Sequence, residues 1–356
     1  MIPVTKAYLP PIDEYYHYLR KIWESGWITN NGQFVQEIEC KLKDFLKVKH
    51  LFFTNNGTIV LQMALKAYGI TKEVITTPFS YVATCNAILW EGCTPVFIDI
   101  NDRNFCIDAE KIESAITENT QAILATHVYG YPCDIEKIEQ IATKHNLKVI
   151  YDGAHAFGCE YKNKSLLSYG DISTCSFHAT KLFHTVEGGC IITNDDAIAD
   201  KLMLFRQFGH LGDAYFSMGI NAKSSEMHAA MGLCILPKVP DIIKKRKEIS
   251  EIYDKAFERT LLLRPKGSVS LNYNYSYYPI VFENENKLLK CKDLLERNKI
   301  FTRRYFYPSL NLLPFIEKQN CPISENIASR VLCLPLYYEL QQKDVIRISN
   351  LVIEAY

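Results

Sequence analysis

The chain has 356 residues, 48% of them hydrophobic, enough for one large domain and a smaller one. Its 40 Lys and Arg residues balance its 40 Asp and Glu residues, so no net field selects nucleic acid or an anionic membrane surface. The opening MIPVTKAYLPP lacks the basic-then-apolar pattern of a secretory signal, and no apolar run approaches a membrane span. The 12 cysteines are therefore expected as reduced thiols of a cytoplasmic protein. Cys85, Cys93, Cys106, Cys133, Cys159, Cys175 and Cys190 mostly sit in apolar surroundings and read as small buried hydrophobes. No pair has the C-x-x-C spacing of a zinc or redox site, and no metal is expected.

In chain order, Ile12 to Ser25 reads as an amphipathic helix. The turn-rich Gly26-Trp27-Ile28-Thr29-Asn30-Asn31-Gly32 follows, equally a connector or the lining of a polar ligand site. Gln33 to Leu46 is a second helix, with Phe34, Ile38, Leu42 and Phe45 on one face. His50 to Phe53 is a short strand, and Thr54-Asn55-Asn56-Gly57-Thr58 opens onto an apolar helix, Ile59 to Tyr68. A glycine turn at a helix N-terminus leaves backbone N–H groups for a phosphate, although such turns also serve as plain strand–helix joints. Val74 to Thr77, Pro95 to Ile100, Ala122 to Val128 and Val149 to Tyr151 are further strands, separated by helices. That alternation predicts a mainly parallel sheet covered on both faces, which gathers ligands at the carboxyl ends of its strands. Thr58, Tyr81, Asp152 and Lys181 all fall at or just beyond such ends.

The stretch Asp171 to Gly189, DISTCSFHATKLFHTVEGG, puts a single lysine, Lys181, beyond a short strand, where it suits Schiff-base chemistry. Asp152 reads either as a helix N-cap or as a carboxylate held against a protonated heterocyclic nitrogen. Pyridoxal 5'-phosphate needs such a carboxylate, a lysine for its aldehyde, an anion site and an aromatic over its ring. Asp152, Lys181, Gly57–Thr58 with Ser176, and Tyr81 meet these four needs on one sheet. Beyond a helix from Ser225 to Leu236, Pro237 and Pro240 break the pattern before a basic helix, Ile242 to Thr260. Its lysine run reads as a solvated face. The rest is a smaller strand–helix–strand domain, and the division is expected as 1–236 and 237–356. In Thr302-Arg303-Arg304-Tyr305-Phe306-Tyr307-Pro308, two arginines among aromatics suit a diphosphate clamp stacked on a base, or an ordinary strand with snorkelling arginines.

Asp152-Gly-Ala-His-Ala, Ser176-Phe-His-Ala-Thr-Lys181, Glu187-Gly-Gly and Gly219-Ile-Asn221 resemble the DegT/DnrJ/EryC1/StrS family of pyridoxal-phosphate sugar aminotransferases, over nearly the whole chain. The resemblance implies an α/β, aspartate aminotransferase-like (type I) fold, with a large mainly parallel-sheet domain and a smaller α+β C-terminal domain. It implies that Lys181 carries the cofactor and shuttles the proton, that Asp152 pairs with the ring nitrogen, and that His155, where glutamine is usual, lies near the ring hydroxyl. Gly57, Thr58 and Ser176 would hold the phosphate and Tyr81 would stack on the ring. Asn221 would reach the cofactor phosphate of a neighbouring subunit, making a homodimer the minimum active unit. Trp27, Thr29, Asn30, His178, Glu187, Arg304 and Tyr305 are the candidates for substrate. Family members that dehydrate sugars carry histidine at the position of Lys181, so amine transfer is the reaction implied.

The opening, the Trp27 segment and Ile75-Thr76-Thr77-Pro78-Phe79 look most like the branch acting at the sugar C4. That branch moves the amino group of L-glutamate to dTDP-4-keto-6-deoxy-D-glucose, giving dTDP-4-amino-4,6-dideoxy-D-glucose for surface polysaccharide. Amination at C3, a galacto product, another nucleotide, or a non-catalytic cofactor-binding sensor are the alternatives. A nucleotide-dependent dehydrogenase lacks support, because no G-x-G-x-x-G follows the first strand.

Overall fold

The structure, a computed structural model, describes residues 1–356. Helices α1 (Ile12–Ser25) and α2 (Gln33–Leu46) have the predicted bounds. They precede β1 (His50–Thr54), α3 (Gly57–Ala67), β2 (Glu73–Thr76), α4 (Val82–Trp90), β3 (Thr94–Phe97), β4 (Thr120–Thr126) and β5 (Lys148–Asp152). Strands β6 (Ile172–Ser176) and β7 (Gly189–Thr193) complete a seven-stranded sheet of order β1-β7-β6-β5-β4-β2-β3. Only β7 runs against the others, pairing antiparallel with both β1 and β6. Because the remaining strands share one direction, their carboxyl ends lie along one edge.

The strands read as continuous apolar runs because helices cover both faces. Along β4, Ala122 and Leu124 enter one core cluster while Ile123 and Ala125 enter the other, as the two-residue period of a strand requires. Helix α3 starts at Gly57, earlier than predicted, because the Asn56 side chain caps it. Strand β3 stops at Phe97, short of Ile100, since Ile100 bridges to Ile107 instead.

A separate core is built by α5 (Val239–Phe257), β8 (Tyr278–Val281), α6 (Glu285–Arg297), β9 (Val331–Leu334) and α7 (Gln342–Ala355). Pro240 does not break α5 but lies in its first turn, where a missing N–H costs nothing. The division at 236/237 is crossed in both directions. Ile2 is buried in this second core and bridges Ile300, whereas Phe306 packs in the core of the large sheet. No helix is long and apolar enough to cross a membrane. All 12 cysteines are free, with Cys40 the exposed one. No group of three His, Cys, Asp or Glu side chains is placed to hold a metal ion.

One buried polar group makes the fold acid-sensitive. His127 lies beyond β4, stacks on Tyr151 at 4.4 Å between ring centres, and accepts from Cys133 N–H through Nδ1 at 3.2 Å. Its Nε2 is buried without a partner, and burial lowers its pKa to about 3. An unfolded imidazole titrates near about 6.5. The His127 contribution is therefore fully present above that pH and is lost as pH falls toward the folded value. At about 1.4 kcal/mol per unit, this one site should weaken the fold by about 3 kcal/mol at pH 4 relative to pH 7. Urea denaturation at both pH values checks this. The pH difference should shrink in His127→Asn, whose amide oxygen keeps the Cys133 bond.

Candidate active site

A cavity of about 320 Å³ opens at the carboxyl edge of the sheet, within the size range of small-molecule sites. Asn56, Gly57 and Thr58 line it from the end of β1, Ser80 and Tyr81 from beyond β2, Asp152 and His155 from the end of β5, and Ser176, His178, Thr180 and Lys181 from the end of β6. The parallel topology thus brings together residues far apart in sequence.

Asp152 ends β5 in the core. Its Oδ1 accepts from Ala154 N–H at 3.0 Å and its Oδ2 from the Thr84 hydroxyl at 2.7 Å. Thr84 is bonded in turn to Ser80 at 2.8 Å, and the Thr126 hydroxyl donates to Ser80 at 3.0 Å. This buried hydroxyl chain fixes the carboxylate's orientation. Turns, and no helix, follow Asp152, so the helix-cap reading fails.

Lys181 lines the same cavity, with Nζ 3.5 Å from the Tyr277 hydroxyl. Desolvation pushes its pKa down, and the Asp152 charge partly opposes that shift. His155 is buried, with its ring stacked on Phe306 at 5.5 Å. Its Nδ1 accepts from Tyr129 N–H at 3.1 Å, which leaves the proton of the neutral ring on Nε2. Burial first, and then the Lys181 charge, hold its pKa well below the usual value, so it is a neutral donor at working pH.

The turn before α3 is wedged against two strand ends. A Cβ on Gly57 would meet Ser176 Cβ at 2.6 Å, and one on Gly189 would meet Asn56 O at 2.6 Å. This close approach explains both glycines. The turn offers fewer free amides than expected, because Asn56 Oδ1 takes Thr58 N–H and Ile59 N–H, each at 2.9 Å. The Gly57 N–H and the hydroxyls of Thr58 and Ser176 remain as donors on this wall. Tyr81, 58% exposed, stands at the cavity mouth ahead of α4. The Nε2 atom of His178 lies 3.5 Å from Glu187 Oε1, and both residues line the cavity.

Several substrate candidates lie elsewhere. Trp27, Thr29 and Asn30 are exposed and do not line the cavity. Glu226 holds their loop away: its carboxylate accepts from Phe34 and Val35 N–H at the start of α2, and its own N–H donates to Ile28 O at 3.0 Å. Arg304 does not line the cavity either. Its guanidinium donates to Glu285 Oε1 and Ser329 O, both at 2.6 Å, and lies over the Tyr307 ring. The cavity arginine is its neighbour Arg303, beside Tyr305. Arg303 exchanges backbone hydrogen bonds with Cys333 on β9, and successive side chains of such an extended segment point to opposite sides. Asn221 is exposed outside the cavity, its carbonyl accepting from Asn55 Nδ2 at 3.2 Å. Tyr277, Ser80 and Thr84 are residues that the motifs did not reveal, and of the two arginines in the 302–308 motif it is Arg303 that lines the cavity.

The residues present fit a phosphorylated pyridine aldehyde. An amine of lowered pKa, an anchored carboxylate, the Thr58 and Ser176 hydroxyls and a largely exposed tyrosine all line one cavity.

Fold and site together define an aminotransferase with the aspartate aminotransferase-like fold. Residues 12–353 match the DegT/DnrJ/EryC1/StrS aminotransferase family, and the chain belongs to it. It is 42% identical to an Escherichia coli dTDP-4-amino-4,6-dideoxy-D-glucose transaminase, covering 99% of this chain and 98% of that one. A Shigella dysenteriae protein of the same name is 41% identical, covering 95% of this chain and 94% of that one. Among solved structures, DesI with its TDP-sugar product superposes with a TM-score of 0.94 at 30% identity, covering 99% of this chain and 93% of that chain.

Proposed function

We propose that this protein transfers the amino group of L-glutamate to C4 of dTDP-4-keto-6-deoxy-D-glucose, using pyridoxal 5'-phosphate. The products are dTDP-4-amino-4,6-dideoxy-D-glucose and 2-oxoglutarate. The observation that carries this reading is Lys181 and Asp152 lining one strand-end cavity, in a chain 42% identical over its length to a transaminase of that name. We place the enzyme in the cytoplasm, where its nucleotide-linked substrate belongs.

When bound, the cofactor supplies an aldehyde that accepts the amine and a cationic ring that draws electrons from the substrate carbon. The protein's own groups do the rest. Asp152 would hold the proton on the ring nitrogen, and the Thr84–Ser80–Thr126 hydroxyls keep its oxygens aimed. His155 Nε2–H would serve the ring hydroxyl, Gly57, Thr58 and Ser176 would hold the phosphate, and Tyr81 would cover the ring. A free lysine, with a pKa of about 10.4, is charged at neutral pH and cannot act as a base. Desolvation of Lys181 brings its amine toward the working range. Its Nζ takes the proton from the α-carbon of glutamate, and the second half-reaction runs this transfer in reverse at the sugar C4.

The active unit in this reading is a homodimer. Leu211, Tyr215, Phe216, Met218 and Ile220 are exposed on the hairpin segment that leads to Asn221, an apolar surface that favours burial. Asn221 would there reach the neighbouring subunit's phosphate site.

Arg303 and Arg304 separate binding from folding. Arg303→Met should raise KM for an anionic substrate roughly 10-fold or more, with stability unchanged. Arg304→Met should leave KM alone and lower stability by about 1–3 kcal/mol, read by urea denaturation. NMR of the product from dTDP-4-keto-6-deoxyglucose and L-glutamate tests the assignment as a whole. A C4 equatorial amine supports it, and an amine at C3 or an axial one overturns it.

A further inference from the structure

We propose that Tyr277 is the residue that positions the Lys181 amine for proton transfer. Its hydroxyl is the only hydrogen-bond partner of Lys181 Nζ, at 3.5 Å. The proposal rests on the reading of Lys181 as the proton carrier and adds a residue that no motif of the sequence marks.

Tyr277 ends a segment, 273–277, that has no regular secondary structure yet is held tightly across the loop after β5. Asn274, fully buried, donates through Nδ2 to His155 O and Phe157 O, each at 2.8 Å. The Ser276 hydroxyl donates to His155 O at 3.1 Å, and Asn274 Oδ1 accepts from Ser276 N–H at 3.0 Å. The buried guanidinium of Arg246, on α5, donates to Ser276 O at 3.0 Å. A backbone without helix or sheet partners has thus been satisfied by dedicated side chains. Aromatic rings then fix the Tyr277 side chain, with His155 edge-on at 4.9 Å, Tyr129 at 5.5 Å and Tyr305 edge-on at 5.6 Å. What this scaffold delivers to the cavity is one hydroxyl, aimed at Lys181.

The phenol works as a neutral group. Burial raises its pKa, so it keeps its proton and does not act as the base itself. Its oxygen accepts a hydrogen bond from Nζ–H of the protonated amine, which holds the nitrogen at a fixed place in the cavity. The same bond favours the charged amine, so its removal should lower the pKa of Lys181. Because the segment bridges the large sheet and β8, the position of the amine depends on both parts of the chain.

Tyr277→Phe keeps the ring contacts and removes only the hydroxyl. In the holoenzyme, kcat should fall about 10- to 100-fold while KM for both substrates stays within about twofold. In the cofactor-free full chain, brief reductive methylation over a pH series, read on the Lys181 peptide by mass spectrometry, reports the amine directly. Its midpoint should move down by about one pH unit in Tyr277→Phe. An unmoved midpoint with wild-type kcat overturns the proposal. So does a fall in kcat with an unmoved midpoint, because the phenol would then act on something other than Lys181. Retained turnover in Lys181→Ala would instead overturn the reading of Lys181 itself, so the two failures are told apart.

Discussion

Lys181→Ala protein is expected to lose amino transfer by about 10⁴-fold or more while keeping its fold. The loss is this large because, in the proposed mechanism, one side chain both receives the cofactor and moves the proton with its amine. Tyr277, the only group bonded to it, holds its own proton. Stability should be unchanged or slightly higher, since desolvating a lysine is unfavourable and alanine removes that cost. Turnover assays with L-glutamate and the keto sugar, together with thermal unfolding, read both expectations. Turnover within tenfold of wild type would remove the basis of the mechanism.

Asp152→Asn should cost roughly 10³-fold in turnover, because an amide cannot keep the ring nitrogen protonated. The substitution is gentle to the structure. Asparagine Oδ1 can still accept from Ala154 N–H, and the Thr84 hydroxyl can accept from the new Nδ2 while donating to Ser80. No helix starts at this residue, so no cap is lost, and urea denaturation should give wild-type stability. Full activity in this variant would leave the carboxylate a purely structural role, and a large loss of stability would trace any activity defect to folding.

The parts of the protein legible in its sequence are those set by local periodicity and by strand ends. Helices α1 and α2 carry clear apolar faces, and their bounds match the structure. Asp152, Ser176 and Lys181 converge because a parallel sheet must align its carboxyl ends, which the strand–helix alternation already implies. What the sequence hid depends on partners far along the chain. Nothing near Trp27 shows that Glu226 will hold its loop away from the cavity. Arg303 and Arg304 are chemically alike, and only the register against Cys333 decides which of them lines the site. Tyr277 was one tyrosine among several in the run Tyr273 to Tyr278. Its role depends on Asn274, Ser276 and Arg246 fixing an irregular backbone, a pattern without a period. Ile2 joins the second core through a bridge to Ile300, a contact that a division by chain order cannot foresee.

In the proposed reaction Lys181 and Asp152 run a two-stage amino transfer on a bound cofactor. The visible absorbance of the purified protein tests it most directly, recorded before and after each substrate is added in turn. The purified protein should be yellow, bleach with L-glutamate alone and regain its colour with dTDP-4-keto-6-deoxyglucose. Yellow protein that does not bleach with glutamate, or colourless protein that takes up no pyridoxal phosphate, would contradict it.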